Sequence, residues 1–203
     1  MSTTIERRSV TIKGDEFKFS CAHFVAYKNY RERLHGHNYT VEVEARGTMS
    51  SDDGYVIDFG ILKKSIRSIC KSLSEKIIVP MNSPVLTIST RSNPLWTPGA
   101  AREASSAGEC LQSCGVNDVE GEGERIDSPE QIDVVCGLSF FSFPKSDCAL
   151  LPIEFSTAEE LSKFFAYQLM DILGEEFAKR KIECLSVKVF ERPTQAASYT
   201  VTI

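Results

Sequence analysis

Histidine and tryptophan are rare in this sequence, with three and one among its 203 residues, and long apolar runs are missing altogether. No stretch approaches the roughly 20 apolar residues of a membrane-spanning helix. The first residues contain no hydrophobic core of the kind that directs secretion. An excess of basic charge is also lacking, since the net charge is -5 and the pI about 5.3. Nucleic acids and anionic membranes attract basic surfaces, so we expect a cytoplasmic protein that binds neither.

Cysteine is present in an odd number, seven, and the residues are scattered from Cys21 to Cys184. In a chain without a leader this pattern indicates reduced thiols rather than a disulfide framework. Cys110 and Cys114 have no partner pair that would complete a zinc site, so we interpret them as free thiols. Cys21, two residues before a histidine, is interpreted as a small buried apolar residue.

Two periodicities predict the fold class. Alternating polar and apolar residues predict about six strands, near residues 10–21, 39–45, 85–88, 138–143, 185–189 and 199–203. Apolar residues spaced by three and four predict two helices, one capped by Asp58 and one starting at a capping box formed by Ser156 and Glu159. Strands joined mainly by hairpins, with two long helices among them, indicate an α+β fold with an antiparallel sheet and the helices on one face.

The middle of the chain shows neither the strand spacing nor the helix spacing of apolar residues. Residues 91–136 are rich in Gly, Ser, Pro and Glu, and the part from Thr97 to Asp133 carries 9 acidic and 2 basic residues. A structureless loop of this length is uncommon inside a compact domain. We therefore predict a single domain over residues 1–203 that carries a disordered acidic insertion at about 91–136.

The three histidines form the first candidate site. His35 and His37 lie two apart at the start of a predicted strand, so their side chains point to the same side. A hairpin that pairs this strand with the preceding one would bring His23 beside them. Three imidazoles around one point suit zinc, which in catalytic sites keeps three protein ligands and one open position. The alternative is two surface histidines and one in the core, and spacing alone does not decide between them.

Longer motifs indicate a family. The segments are, in chain order, Phe19–Phe24, Leu34–Tyr39, Asp53–Lys63, Ser156–Leu161 and Val187–Thr194. Together they resemble the 6-pyruvoyltetrahydropterin synthase and 6-carboxytetrahydropterin synthase family over nearly the whole chain outside the insertion. The resemblance implies the T-fold, a four-stranded antiparallel sheet with two helices packed on one face. It also implies zinc on the three histidines and a homo-oligomer, a hexamer, with active sites between subunits.

One departure from the family concerns the acid/base groups. The resemblance implies a cysteine shortly before the His-Gly-His block of the synthases and an Asp-His pair after the first helix. Here no cysteine lies between His23 and His35, and Ser74 and Glu75 stand in place of the pair. Glu32 instead matches the family's glutamate subgroup, known from apicomplexan and some bacterial members. That match implies that Glu32 is catalytic.

The glutamate subgroup is thought to cleave the side chain of 7,8-dihydroneopterin triphosphate, which gives 6-hydroxymethyl-7,8-dihydropterin for folate synthesis. Such a carbon–carbon cleavage needs one metal and one acid/base group, and Glu32 can supply the latter. The non-catalytic alternative is that Glu32 is an exposed loop carboxylate paired with Arg31 or Arg33.

Two further residues are candidates for binding a pterin. Glu191 can accept two hydrogen bonds from the ring N–H and amino group, or it is a strand-end carboxylate facing water. Thr157 can donate to the ring, or it is only a first-turn residue of the helix. Lys28, Arg31 and Arg33 can meet the triphosphate, or they form a solvated basic loop.

The leading functional prediction is a zinc-dependent lyase that acts on 7,8-dihydroneopterin triphosphate. One alternative is 6-pyruvoyltetrahydropterin synthase itself, with Glu32 or Glu75 substituting for the missing groups. A second alternative is a non-catalytic T-fold protein that binds zinc and pterin but has lost its base.

Overall fold

A computed structural model describes residues 6–48, 53–92 and 130–203. The chain divides into two compact units. The first consists of Met1–Leu86 and Ala149–Ile203, and the second of Thr87–Cys148. The described residues of the predicted insertion, 91–92 and 130–136, belong to the second unit. Within the described ranges, no helix combines the length and the apolar character needed to cross a bilayer.

The secondary structure of the described residues runs as follows: β1 (Arg8–Ile12), β2 (Lys18–His23), β3 (Ala26–Tyr27), β4 (Tyr30–Arg31), β5 (His35–Gly47), α1 (Phe59–Leu73), β6 (Lys76–Pro80), β7 (Thr87–Ser92), β8 (Glu130–Cys136), β9 (Ser139–Pro144), a 3-10 turn (Lys145–Asp147), β10 (Cys148–Leu151), α2 (Ala158–Arg180), β11 (Ile182–Arg192) and β12 (Gln195–Thr202).

The largest sheet has seven strands and is mixed. Its path runs β10-β6-β2-β5-β11-β12, and β1 pairs with β5 as well. One edge of the long strand β5 pairs with β2 through its first half and with β1 through its second half, while β11 pairs along the other edge. β5 is therefore the central strand, and its first residues, His35 to His37, lie opposite the end of β2.

The expected four-stranded, wholly antiparallel sheet is wrong in strand number and in one strand direction. β6 lies parallel to β2, with Cys21 opposite Lys76. The chain reverses once in the β2–β5 hairpin and again through α1, so β6 runs in the same direction as β2. β6 and β10 were not predicted, because they are short, continuous apolar runs without a period of two.

Both helices pack against this sheet, as expected for an α+β fold. α1 buries Leu62, Ile66 and Ile69, and its N-cap is Asp58, whose carboxylate accepts from the Gly60 N–H. These features confirm the predicted first helix.

The start of the second helix was predicted one residue too early. The N-cap of α2 is Thr157, whose hydroxyl accepts from the Glu160 N–H at 3.3 Å. Ser156 is therefore not the cap, and the Ser156–Glu159 capping box is wrong. The Ser156 hydroxyl donates instead to the main-chain carbonyl of Phe24, far away in the sequence.

The second unit contains a three-stranded antiparallel sheet in the order β7-β8-β9. Residues 91–92 and 130–136, which composition had assigned to the insertion, are strand residues here. The strands predicted near 85–88 and 138–143 correspond to β7 and β9, and both pair with β8, which the sequence did not predict. The remaining part of the predicted insertion, 93–129, lies outside the described residues.

Candidate metal centre and active site

The three histidines come together where β2 ends and β5 begins. In the strand register His23 is opposite His35, and His37 follows two residues later on the same face. One nitrogen from each ring lies within 4.8 Å of the others. His23 is buried, His37 half-buried and His35 exposed, so the cluster extends from the protein interior to solvent.

Main-chain carbonyls orient two of the rings. Nδ1 of His23 is 2.7 Å from the carbonyl oxygen of Ser156, and Nδ1 of His35 is 2.8 Å from that of Arg33. A carbonyl only accepts, so both Nδ1 atoms carry the proton, and in the neutral rings Nε2 then keeps a lone pair. At His23 the Tyr39 hydroxyl lies 3.2 Å from this Nε2. Metal-binding histidines commonly have such a partner for the second nitrogen.

Electrostatics favour the neutral form of the buried ring. Burial lowers the pKa of the His23 imidazole, and the Ser156 carbonyl that accepts from it opposes this change. The two neighbouring imidazoles lower the pKa further, while the Glu32 carboxylate raises it. Only a neutral imidazole can bind a metal, so the net direction prepares His23 to act as a ligand.

His37 provides a separate test of whether a metal fits. Its Nε2 is buried and makes no hydrogen bond to any described residue. A carboxylate oxygen of Glu191 lies at an ion-pair distance, 3.1 Å away, but forms no hydrogen bond with it. A buried nitrogen without a partner is costly, and a metal ion would satisfy it. The three-imidazole donor set fits a divalent transition metal.

A cavity of about 570 Å³ adjoins the cluster. Its lining contains the predicted site residues His23, His35, Glu32, Glu191 and Thr157. The fold thus brings together two of the three metal candidates, the candidate base and both candidate pterin ligands. His37 belongs to the cluster but lines a neighbouring cavity of about 400 Å³ with Cys21 and Glu75. Glu75 therefore does not share the Glu32 cavity of its own chain.

Glu32 is held by the chain segment that precedes it. The Val25 N–H donates to Oε2 of Glu32 at 3.0 Å, and the Glu32 N–H donates to the Val25 carbonyl at 2.9 Å. Between these residues β3 and β4 form a small hairpin. The Arg31 guanidinium donates to the main-chain carbonyl of Glu32 at 2.6 Å and lies over the Phe24 ring. The half-buried carboxylate has a defined place in the cavity wall.

Two site residues were not found from the sequence as such. Glu159, assigned there to a capping box, lines the cavity from the first turn of α2. Ser156 is completely buried and bonds both His23 and Phe24. Both lie within two residues of Thr157, which was the available signal, but their surroundings depend on distant segments.

Positive charge is missing from the cavity wall. None of the described residues that line it is Lys or Arg, whereas three are glutamates. The sequence suggested that three basic loop residues bind a triphosphate: Lys28, Arg31 and Arg33. None of them lines the cavity of its own chain.

Comparisons with known proteins identify the family. The family model for 6-pyruvoyl tetrahydropterin synthase matches residues 12–201. A Methanocaldococcus jannaschii protein assigned as a 6-carboxy-5,6,7,8-tetrahydropterin synthase is 28% identical over 182 residues, which is 90% of this chain and 88% of that protein.

Solved structures agree with this match. The 6-pyruvoyl tetrahydropterin synthase of Plasmodium vivax has a TM-score of 0.74 and 34% identity, covering 98% of this chain and 99% of the other. The Plasmodium falciparum enzyme has the same TM-score and 32% identity over 97% and 99%. Two further P. vivax structures carry alanine or cysteine in place of a glutamate described as a catalytic residue. The resemblance to apicomplexan members is confirmed.

The family match extends over nearly the entire chain, and the fold and the histidine cluster agree with it. This protein belongs to the 6-pyruvoyl tetrahydropterin synthase family, whose members are lyases.

Proposed function

We propose that this protein is a zinc-dependent lyase that cleaves the side chain of 7,8-dihydroneopterin triphosphate and yields 6-hydroxymethyl-7,8-dihydropterin for folate synthesis. The observation that carries the proposal is the position of Glu32, in the wall of the cavity that His23 and His35 also line. The P. vivax relative, whose catalytic residue is described as a glutamate, supports this role for a carboxylate.

His23, His35 and His37 would hold the zinc ion. The set consists of three imidazoles, the ligands that catalytic zinc sites commonly use. When bound, zinc supplies a Lewis acid that polarises the side-chain hydroxyls of the substrate and favours their ionisation. The carbonyls of Ser156 and Arg33 keep the His23 and His35 rings in the tautomer that presents Nε2.

Glu32 acts as the acid/base group. Its carboxylate takes the proton of the C2′ hydroxyl, and the C1′–C2′ bond breaks as C2′ becomes an aldehyde carbon. The electron pair of the broken bond moves toward the pterin ring, and the proton is returned to C1′. The products are 6-hydroxymethyl-7,8-dihydropterin and glycolaldehyde triphosphate. The step balances without water, oxidant or reductant, so it requires only the groups already named.

The remaining carboxylates of the cavity recognise the pterin. Glu191 accepts hydrogen bonds from the ring N–H and the amino group, a planar match for one carboxylate. Glu159 lines the same cavity and offers a second carboxylate. The Thr157 oxygen already accepts from Glu160 as the helix cap, so its O–H remains a donor to the ring. Measuring pterin affinity of the Glu191→Gln and Glu159→Gln variants separates the two carboxylates.

The triphosphate needs cations that the described wall of this cavity lacks. A homo-oligomer, a hexamer as in the family resemblance, would supply them from a neighbouring chain at an active site between subunits. The loop cations Lys28 and Arg33 are exposed and therefore available for such a role.

The reaction itself is tested by incubating the zinc-loaded protein with 7,8-dihydroneopterin triphosphate and separating the pterins by chromatography. The hydroxymethyl pterin is the expected product. A 6-pyruvoyl product would instead indicate the synthase alternative, and unchanged substrate would indicate a non-catalytic zinc- and pterin-binding protein.

Metal binding is predicted at about one zinc ion per chain, because the cluster provides a single set of three ligands. The His35→Ala variant is expected to lose most of its zinc and its activity while it remains folded, since His35 is exposed. Elemental analysis and circular dichroism of the same samples check both points. Full zinc in this variant would refute the assignment of the site.

A further inference from the structure

Ser156 is completely buried, yet neither of its two oxygen atoms serves the helix that follows it. Its hydroxyl donates to the Phe24 carbonyl at 2.7 Å, and its own carbonyl accepts from Nδ1 of His23 at 2.7 Å. The cap of α2 is formed by Thr157 instead. The side chain of Ser156 therefore stabilises the region around Phe24, 132 residues away in the sequence.

The acceptor of this hydrogen bond belongs to a peptide group that also contacts Glu32. The Phe24 carbonyl and the Val25 N–H are the two polar ends of one planar peptide unit. The Val25 N–H donates to Oε2 of Glu32 at 3.0 Å. A continuous path of two hydrogen bonds and one rigid peptide thus joins the Ser156 hydroxyl to the Glu32 carboxylate.

We propose that Ser156 is a positioning residue for Glu32, acting through the Phe24–Val25 peptide group, and this inference rests on the proposed function of Glu32. Because the peptide is planar, fixing its carbonyl also fixes the direction in which its N–H points. A hydroxyl donated to the carbonyl also polarises the peptide and makes the N–H a stronger donor. The Ser156 hydroxyl therefore both aims and strengthens the contact that holds the base.

The same residue also connects the candidate base to the histidine cluster. The main-chain carbonyl of Ser156 orients His23, while its side chain orients the peptide that holds Glu32. One rigid residue at the start of α2 thus ties together two groups that come from different segments. In the carbon–carbon cleavage, proton acceptor and metal must reach neighbouring oxygens of one substrate, so an error in their spacing lowers turnover.

The experiment compares Ser156→Ala with Ser65→Ala. Ser65 is also a buried serine whose hydroxyl donates to a main-chain carbonyl, that of Ile61 at 3.2 Å, but it lies in α1 outside the cavity wall. Hydrogen exchange of the Val25 amide, followed by NMR, is expected to accelerate about tenfold in Ser156→Ala and to stay unchanged in Ser65→Ala.

Turnover provides the second measurement. In Ser156→Ala, kcat is expected to fall by about tenfold, as for the loss of one hydrogen bond, with KM changed less than about threefold. Zinc content should be unchanged, because His23 bonds the main chain of residue 156 rather than its side chain. In the Glu32→Gln background, Ser156→Ala is expected to cause no further loss, since both changes act on one group.

Ser156→Cys provides a variant of similar size with a weaker donor, and its effects are expected to lie between those of Ser and Ala. It serves in place of Ser156→Ala if that variant does not fold. Unchanged Val25 exchange, equal effects of Ser65→Ala, or a full additional loss in the Glu32→Gln background would each overturn the proposal. If the wild-type protein has no turnover, the proposed function fails, and Val25 exchange still decides whether Ser156 holds the peptide.

Discussion

Individual polar side chains around the cavity take their positions mainly from the main chain. The carbonyls of Ser156 and Arg33 orient His23 and His35, and the Val25 N–H holds Glu32. A main-chain partner remains when a neighbouring side chain is replaced. Replacing His23, His35 or Glu32 should therefore remove one chemical group while leaving the other two in place, which makes these variants informative about mechanism.

Glu32→Gln is the sharpest of these substitutions. Glutamine has nearly the same shape and still accepts from the Val25 N–H, but it cannot take a proton. General acid/base groups contribute roughly 10²- to 10⁴-fold, so turnover should fall by that order, while zinc content and pterin affinity stay constant. Glu16→Gln, at an exposed ion pair with Arg67, is the matched control. Near-normal turnover at full zinc would exclude Glu32 as the base.

The buried thiols should be inert. Burial raises the pKa of both Cys21 and Cys70 to about 12, because it disfavours the thiolate. At pH 8 these residues should resist iodoacetamide, whereas the half-buried Cys184 should react. Peptide mass spectrometry of the folded protein checks the order of labelling. Cys21 labelled as fast as Cys184 would contradict it and would reopen the possibility of a thiol base beside the histidines.

Site residues differed in how far the sequence could predict them. The His-Gly-His spacing and the strand before it made a cluster of three imidazoles one of two possibilities, and the family resemblance favoured it; the structure brings the three rings together. Glu32 was predicted through the family resemblance, since an isolated loop carboxylate carries no chemical signature. Ser156 could not be assigned its contacts, because its burial and its bond to Phe24 arise only when distant segments meet.

Among the helices and strands, those with a regular spacing of apolar residues could be predicted, and those without it could not. α1 shows a regular apolar spacing and a cap at Asp58, and its position was predicted. β6 and β10 are short apolar runs that fit a strand or a helix equally well, and β8 adjoins a polar, Gly-rich stretch that concealed it. The number of strands therefore depended on tertiary pairing that local sequence does not encode.

The β7–β8 pair yields a prediction about the segment that connects it. Ser92 lies directly opposite Glu130, so a two-residue Asn-Gly turn can replace residues 93–129 without moving either strand. Shortening a connection lowers the entropy cost of closing it, by roughly 2.6 kcal/mol in this case. The melting temperature should therefore stay the same or rise, and turnover should be unchanged.

Calorimetry and the pterin assay check this replacement. The same two residues in reversed order, Gly-Asn, fit a type II′ turn and control for the turn type. An insoluble product or a loss of turnover would show that residues 93–129 contribute to folding or to the site.

For the whole molecule, charge and sheet edges both indicate a role for other copies of the chain. The cavity wall in the described residues has three glutamates and no cation, an arrangement that alone would repel a triphosphate. β12 lies at one end of the seven-stranded sheet, and on its outer edge it pairs with no other strand among the described residues, so this edge can pair with another chain. In a homo-oligomer, a neighbouring chain would pair with the edge of β12 and would place its basic residues near the cavity.

The expected assembly is a hexamer, with a mass about six times the 22.6 kDa of the chain. Light scattering coupled to size exclusion measures the mass, and specific activity at decreasing protein concentration tests whether the assembly is needed. Because a site between subunits is lost when they separate, activity per chain should fall as the hexamer dissociates. KM for the triphosphate should also rise with ionic strength, since salt screens the cations that bind it. A monomer with full turnover would refute the shared site, and the triphosphate would then have to be bound by the chain's own Lys28 and Arg33 loop.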